Sequence, residues 1–291
     1  MKVTRHVLTI LISFTLLYSC IPEDILTNVD PAESKLVISS QIIPGNVMLV
    51  IVTRSFSALE GNDDSLSQDF LNSILVRDAK VVISWDDKEE ILDPIDGANG
   101  FYLSDGQLDL DATELRLDVY DPLTNDSVYA ITEILPRISL DSVLYAEEID
   151  ERDTTQTIYF SFGDPQESDN WYVFQAFDPA SYIDGFNNNP FNLINGTNGV
   201  FFESLISDQI FDSTHYVGEA KFFEERIKSD TVAFFFSNIS EEYFRFLDAR
   251  QRTGSIISSA GNEPINHPTN VIGGLGYFNA NNPSVVFVIK N

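Results

Sequence analysis

The chain has 291 residues, with 45 Asp and Glu against 17 Lys and Arg, for a formal charge of −28. That sign repels phosphate backbones and anionic lipid alike, which excludes nucleic acid as a partner and electrostatic docking on a membrane surface. With 22 Phe and 11 Tyr, the chain can bury a substantial core and is not a disordered tail.

In chain order, Lys2 and Arg5 precede an uncharged apolar run, Val7 to Tyr18. At about 1.5 Å rise per residue this run falls short of the roughly 30 Å hydrocarbon core, so residues 1–19 have the proportions of an export signal and not of a membrane span. It ends in Leu17-Tyr18-Ser19-Cys20, which resembles a bacterial lipobox. That likeness implies cleavage before Cys20 and acylation of its thiol and amine, an anchor of more than one chain and therefore a stable one. Cys20 is the only cysteine, so lipidation would leave no thiol for a disulfide, a metal or a nucleophile. The carboxylates of Glu23 and Asp24 just past it resemble the acidic export signal that carries Bacteroidetes lipoproteins to the cell surface. Loss of residues 1–19 takes Lys2 and Arg5 away and leaves 15 basic against 45 acidic residues, a formal charge of −30.

Residues 20–34, with Pro22 and Pro31, read as lipid anchor and tether. From there the dominant period is two. Lys35–Ser39, Val47–Thr53 and Ala79–Trp85 are rich in β-branched residues, and in Glu114–Asp121 the alternation is strict, with Leu115, Leu117 and Val119 facing one way. Turn chemistry at Asp93–Gly100 and Asp121–Asn125 separates such strands, which predicts an Ig-like antiparallel β-sandwich over 35–140. Pro136 and the charged stretch 147–154 mark a boundary. A second β domain is expected over 141–291, with strands at Thr157–Phe162, Trp171–Phe177, Tyr216–Phe223, Thr231–Phe236 and Val285–Lys290 and a long loop at 178–215. One short helix is predicted near the C-terminus: Ser240 caps it, Glu241 and Glu242 suit its first turn, Tyr243, Phe244 and Leu247 share a face, and Gly254 ends it. The fold class is thus all-β, mostly antiparallel.

The segments Phe162-Gly-Asp-Pro, Asn170-Trp-Tyr, Ser207-Asp-Gln-Ile-Phe, Glu242-Tyr-Phe-Arg-Phe-Leu and Asn270-Val-Ile-Gly-Gly-Leu-Gly-Tyr-Phe resemble an uncharacterised family of Bacteroidetes outer-membrane lipoproteins, domain of unknown function 4249. The resemblance spans nearly all of the mature chain. It implies a surface location, β architecture and the company of TonB-dependent receptors, and brings no catalytic residues with it. Gly273, Gly274 and Gly276 read independently as a structural turn, since their spacing is not that of a dinucleotide fingerprint.

No reaction is spelled out. His215 and His267 stand alone, so no zinc site is expected. Asp105, Asp109 and Asp111 would suit calcium, but the loop lacks the glycine and terminal glutamate of an EF-hand. The expectation is no cofactor and no metal. Asp-Ser/Thr-apolar triplets mark Ser65, Ser127, Ser142 and Thr231 as O-glycosylation candidates. Phe186, Asn187, Asn188, Asn189 and Phe191 form the expected partner or ligand contact, while Trp171 reads as an ordinary strand residue. The resulting expectation is a non-enzymatic, lipid-anchored accessory subunit of an outer-membrane complex, beside a TonB-dependent transporter barrel. The alternatives are a subunit of a protein assembly or secretion machine, a glycan-binding module, or a glycan- or peptide-cleaving enzyme.

Overall fold

The computed structural model describes residues 33–56, 73–149, 154–165, 169–180, 200–211, 214–223, 229–253 and 267–290. Cys20, Glu23, Asp24, Ser65 and the Phe186–Phe191 contact lie outside them. The described part is all-β with a 13-residue helix. Among these residues no helix is long and apolar enough to cross a membrane.

The first half supplies β1 (Leu36–Ile42), β2 (Val47–Arg54), β3 (Lys80–Trp85), β4 (Lys88–Pro94), β5 (Phe101–Gln107), β6 (Glu114–Asp121) and β7 (Asp126–Glu133). The strict alternation of β6 is realised: Leu115, Leu117 and Val119 are buried while Arg116 and Tyr120 face solvent. Two late strands, β14 (Val271–Ile272) and β15 (Leu275–Ala280), join this sheet to give the order β14-β7-β6-β3-β4-β5-β2-β1-β15. Strand β4 pairs with β3 along Val81–Trp85 and turns to pair with β5 at Asp93 and Pro94, so the sheet folds over there. Its two ends, β14 and β15, are consecutive in the chain, and the sheet curls nearly into a barrel around Leu36, Ile38, Val50, Ile83, Leu117 and Phe278. Residues 271–280, read from sequence as part of the second domain, thus complete the first.

The glycines explain how. Strand β15 runs parallel to β1, with Gly276 opposite Ile38. A Cβ on Gly276 would stand 2.0 Å from the Ile38 carbonyl oxygen, and its φ of +88° lies in the left-handed region. The cluster is a structural turn and close approach, and Asn270 locks it: its side chain accepts from Phe278 N at 2.9 Å and donates to Phe278 O at 2.7 Å.

The second half stacks a four-stranded sheet, β11-β10-β13-β16, on a three-stranded one, β12-β9-β8. Its members are β8 (Leu140–Ile149), β9 (Thr154–Gly163), β10 (Trp171–Phe177), β11 (Val200–Ser207), β12 (His215–Phe223), β13 (Thr231–Ile239) and β16 (Ser284–Ile289). Strand β11 and the 3-10 turn Asp208–Ile210 fall inside the stretch 178–215 expected to be loop. The core here is aromatic. Phe160 stacks on Phe174 with centroids 3.9 Å apart, and Phe162 meets Tyr172 and Phe236. Each such buried ring contributes roughly 1.5–3 kcal/mol. Tyr172 is the residue that faces this core, and Trp171 is half-buried on the opposite face.

That opposite face carries helix α1 (Glu241–Thr253). Tyr243 N donates to Ser240 Oγ at 3.2 Å, which is the predicted cap. Tyr243, Phe246 and Leu247 are buried against Val173, Ile239 and, from the first half, Tyr277. The ring centroids of Tyr243 and Phe246 lie 5.0 and 5.1 Å from that of Tyr277. Helix α1 therefore fastens one half to the other.

Candidate functional site

Helix α1 covers only one end of the outer face of the four-stranded sheet. At the other end that face and the outer surface of β1 and β2 enclose an open cleft of about 640 Å³. Strand alternation sets its walls. Phe177, Phe235 and Phe287 sit on the outward register of β10, β13 and β16, and Leu49 and Ile51 on that of β2. Phe177 and Phe235 meet edge to face at 4.7 Å. Tyr243, Phe246 and Tyr277 close the inner end. Phe287 is 65% and Val285 41% exposed, apolar surface that the fold itself leaves uncovered.

The polar floor centres on Glu203 of β11. Its carboxylate accepts from Arg250 Nη2 of α1 at 2.9 and 3.0 Å, from Gln175 Nε2 at 2.6 Å and from Gln251 Nε2 at 3.1 Å. Burial works to raise the Glu203 pKa, but Arg250, Gln175 and Gln251 together outweigh it and hold the group below its ordinary value. The side chains of Glu203 and Arg250 are 15% and 24% exposed, so the pair is a fixed ionic support beneath the apolar walls.

Two of the crossings between the halves, residues 134–139 and 281–283, border the cleft. Ile134 packs on the first core and Ile138 on the second, with the exposed Arg137 between them. Arg137 Nε donates to Asn282 Oδ1 at 3.1 Å, tying the outgoing segment to the returning one, where Asn281 N donates to Ile42 O at 2.8 Å. Arg137 and Pro283 line the cleft, as do Pro179 and Val200, the residues flanking the expected contact loop.

All five segments that carry the family resemblance serve the fold. Asp164, Asn170, Tyr172 and Asp208 converge on one polar knot: Tyr172 OH donates to Asp164, Asn170 Nδ2 donates to Pro165 O at 2.9 Å, and Asn170 N donates to Asp208 Oδ2 at 2.7 Å. Burial and then Asp164 push the Tyr172 pKa far up, so the phenol stays a donor. The helix segment from Glu242 and the Asn270 glycine segment are accounted for by the α1 anchor and the β1–β15 approach.

Of the glycosylation candidates, Ser127 is exposed on β7, Ser142 is exposed but shares a 2.7 Å hydrogen bond with Ser161, and Thr231 is half-buried at the start of β13. Asp109 holds Lys88 Nζ at 2.5 Å and Trp85 Nε1 at 2.6 Å, a strand-end brace. Among the described residues no cluster of three metal-ligating side chains occurs. His215 lies 3.3 Å from Asp141 on the surface, and burial lowers the pKa of His267.

Residues 23–285 match the model of a domain of unknown function, DUF4249. The chain belongs to that family. No curated protein matches it in sequence. Among solved structures, trypsin-activated α2-macroglobulin from Escherichia coli is similar at 13% identity, over 74% of this chain and 15% of that one, with a TM-score of 0.23. Elastase-activated α2-macroglobulin of the same organism is similar at 11% identity, over 72% and 19%, also with a TM-score of 0.23. Apo β-glucuronidase 3 of Bacteroides uniformis is similar at 10%, over 71% and 23%, with a TM-score of 0.19. The match thus spans less than a quarter of each of those chains.

Proposed function

We propose that this DUF4249 protein is a lipid-anchored lipoprotein of the outer membrane, facing the cell exterior, and that it acts without catalysis as an accessory subunit of an outer-membrane complex. Its partner is a β-barrel, a TonB-dependent transporter as the family resemblance implies, and the cleft between the two halves is a ligand-binding site of the lipoprotein itself. The Leu17–Cys20 segment and the carboxylates of Glu23 and Asp24 support the address. A lipid anchor confines the protein to two dimensions and raises its effective concentration beside a barrel.

The observation that carries binding over catalysis is the condition of Glu203. It is the one acidic side chain lining the cleft among the described residues, and it is ionised and occupied by Arg250, Gln175 and Gln251. A general acid needs a pKa near the working pH and a free proton to give; Glu203 is held the other way. Around it the walls are aromatic, the composition of a binding surface.

The test is co-purification from native outer membranes in mild detergent, with Cys20→Ala as the unanchored control. The expected result is a barrel recovered in stoichiometric amount with the anchored protein and lost with Cys20→Ala. Recovery of the lipoprotein alone, under conditions that keep known complexes intact, would overturn the accessory role.

A further inference from the structure

We propose that the cleft takes a small apolar monoanion, an acyl or aryl body carrying one carboxylate, with Arg137 as the group that reads the charge. This rests on the cleft being a binding site and not on the identity of any membrane partner.

Three observations carry it. The first is charge. In a chain of formal charge −28, the charged side chains lining the cleft among the described residues are Arg137, Arg250 and Glu203. Glu203 and Arg250 neutralise each other, so a positive charge remains where the rest of the molecule is acidic. The surrounding field repels anions at long range, so selection for one must come from a short-range contact with a cation at the cleft itself.

The second is the condition of Arg137. Arg54, Arg116, Arg245, Arg250 and Arg252 each sit on a carboxylate. Arg137 is held through Nε by the neutral amide oxygen of Asn282 at 3.1 Å, and among the described residues no carboxylate lies within ion-pairing distance of it. The Asn282 contact fixes the planar head at the crossing between the halves, and it offers no negative charge of its own. A planar guanidinium in that state suits a carboxylate, which it can bind through two parallel hydrogen bonds.

The third is shape. A volume of about 640 Å³ is that of a small-molecule site, where roughly 300–1,000 Å³ is usual. Phe177, Phe235, Phe287 and Tyr277 present apolar surface across it, and an acyl or aryl body would cover the exposed part of Phe287. Acyl and aryl acids share this chemistry, and competition separates them.

The experiment uses the purified chain carrying Cys20→Ala, titrated against the fluorescent acid 11-(dansylamino)undecanoate and against its primary amide. The expected result is saturable binding of one acid per chain, with the amide at least tenfold weaker. Arg137→Gln should remove that difference, and Phe287→Ser should weaken both probes. Displacement by laurate at lower concentration than by 4-phenylbutyrate assigns an acyl ligand, and the reverse order an aryl one. No saturable binding, equal binding of acid and amide, or a preference that survives Arg137→Gln would overturn the proposal. The acid–amide comparison on otherwise unaltered protein stands even where Arg137→Gln does not fold. The co-purification above is read independently of it, so either reading can fail alone.

Discussion

The outer face of the β11-β10-β13-β16 sheet is one surface with two fates. At one end Val173 and Ile239 lie under Tyr243, Phe246 and Leu247, and Tyr277 of the first half completes a closed apolar cluster. At the other end Phe177, Phe235 and Phe287 carry equally apolar side chains along the wall of the open cleft, and Phe287 is 65% exposed. The difference separates what the fold needs from what it leaves over. The covered end contributes to stability and fixes the two halves together. The open end contributes little to folding, and its apolar surface is explained by what comes to cover it.

Substitutions at the two ends should therefore diverge. The largest effect belongs to Gly276→Val, which puts a side chain where even a Cβ would sit 2.0 Å from Ile38 O. It should part β15 from β1 and withdraw Tyr277 from α1, destabilising by more than about 4 kcal/mol in chemical denaturation, or preventing folding. Leu247→Ala at the covered end, where Leu247 is 1% exposed, should cost about 2–5 kcal/mol in the same measurement.

Glu203→Ala comes next, at about 3 kcal/mol, because it takes the Glu203 carboxylate from the largely buried Arg250. The pH dependence follows from the sign of the shift. With a folded pKa below the ordinary 4.5, the Glu203 contribution is fully present above about pH 5 and is lost as pH falls through the depressed value. Between pH 7 and pH 3 the native protein should lose more stability than Glu203→Gln, a difference that urea titrations at the two pH values would report. The smallest effect is Phe287→Ser at the open end, within about 0.5 kcal/mol of the native protein. A loss as large as that of Leu247→Ala would dissolve the distinction between the two ends.

How much of this was legible beforehand follows from where the physics is local. The β6 alternation, the Ser240 cap and the aromatic strands β9, β10 and β13 are written in neighbouring residues, and they were readable. Strand β4 escaped because only Leu92 of Lys88-Glu-Glu-Ile-Leu-Asp-Pro is buried, which leaves no alternation to see. Strands β14 and β15 escaped because their glycines answer to Ile38 and Leu36, more than two hundred residues earlier. The sequence assigns the face of α1 to Tyr243, Phe244 and Leu247; Phe246 is buried where Phe244 is half-buried, because Tyr277 comes from the first half to meet it at 5.1 Å. The cleft was not legible at all. Glu203, Arg250 and Arg137 stand in three distant segments, each unremarkable alone, and only the return of β14–β15 to the first sheet sets them around one space. A faint signal existed in Glu203, the one charged residue of the strand Val200–Ser207.

The most direct measurement is where an apolar acid lands. A fatty acid bearing a photoreactive diazirine would be offered to cells displaying the protein, crosslinked by light, and the labelled residues mapped by mass spectrometry. Label concentrated on Phe177, Phe235, Tyr277 and Phe287 is the predicted result. Other exposed apolar residues, Leu110, Leu123 and Leu144 at 76%, 88% and 63%, are the internal comparison, and label shared evenly with them, or absent from the cleft, would contradict the account.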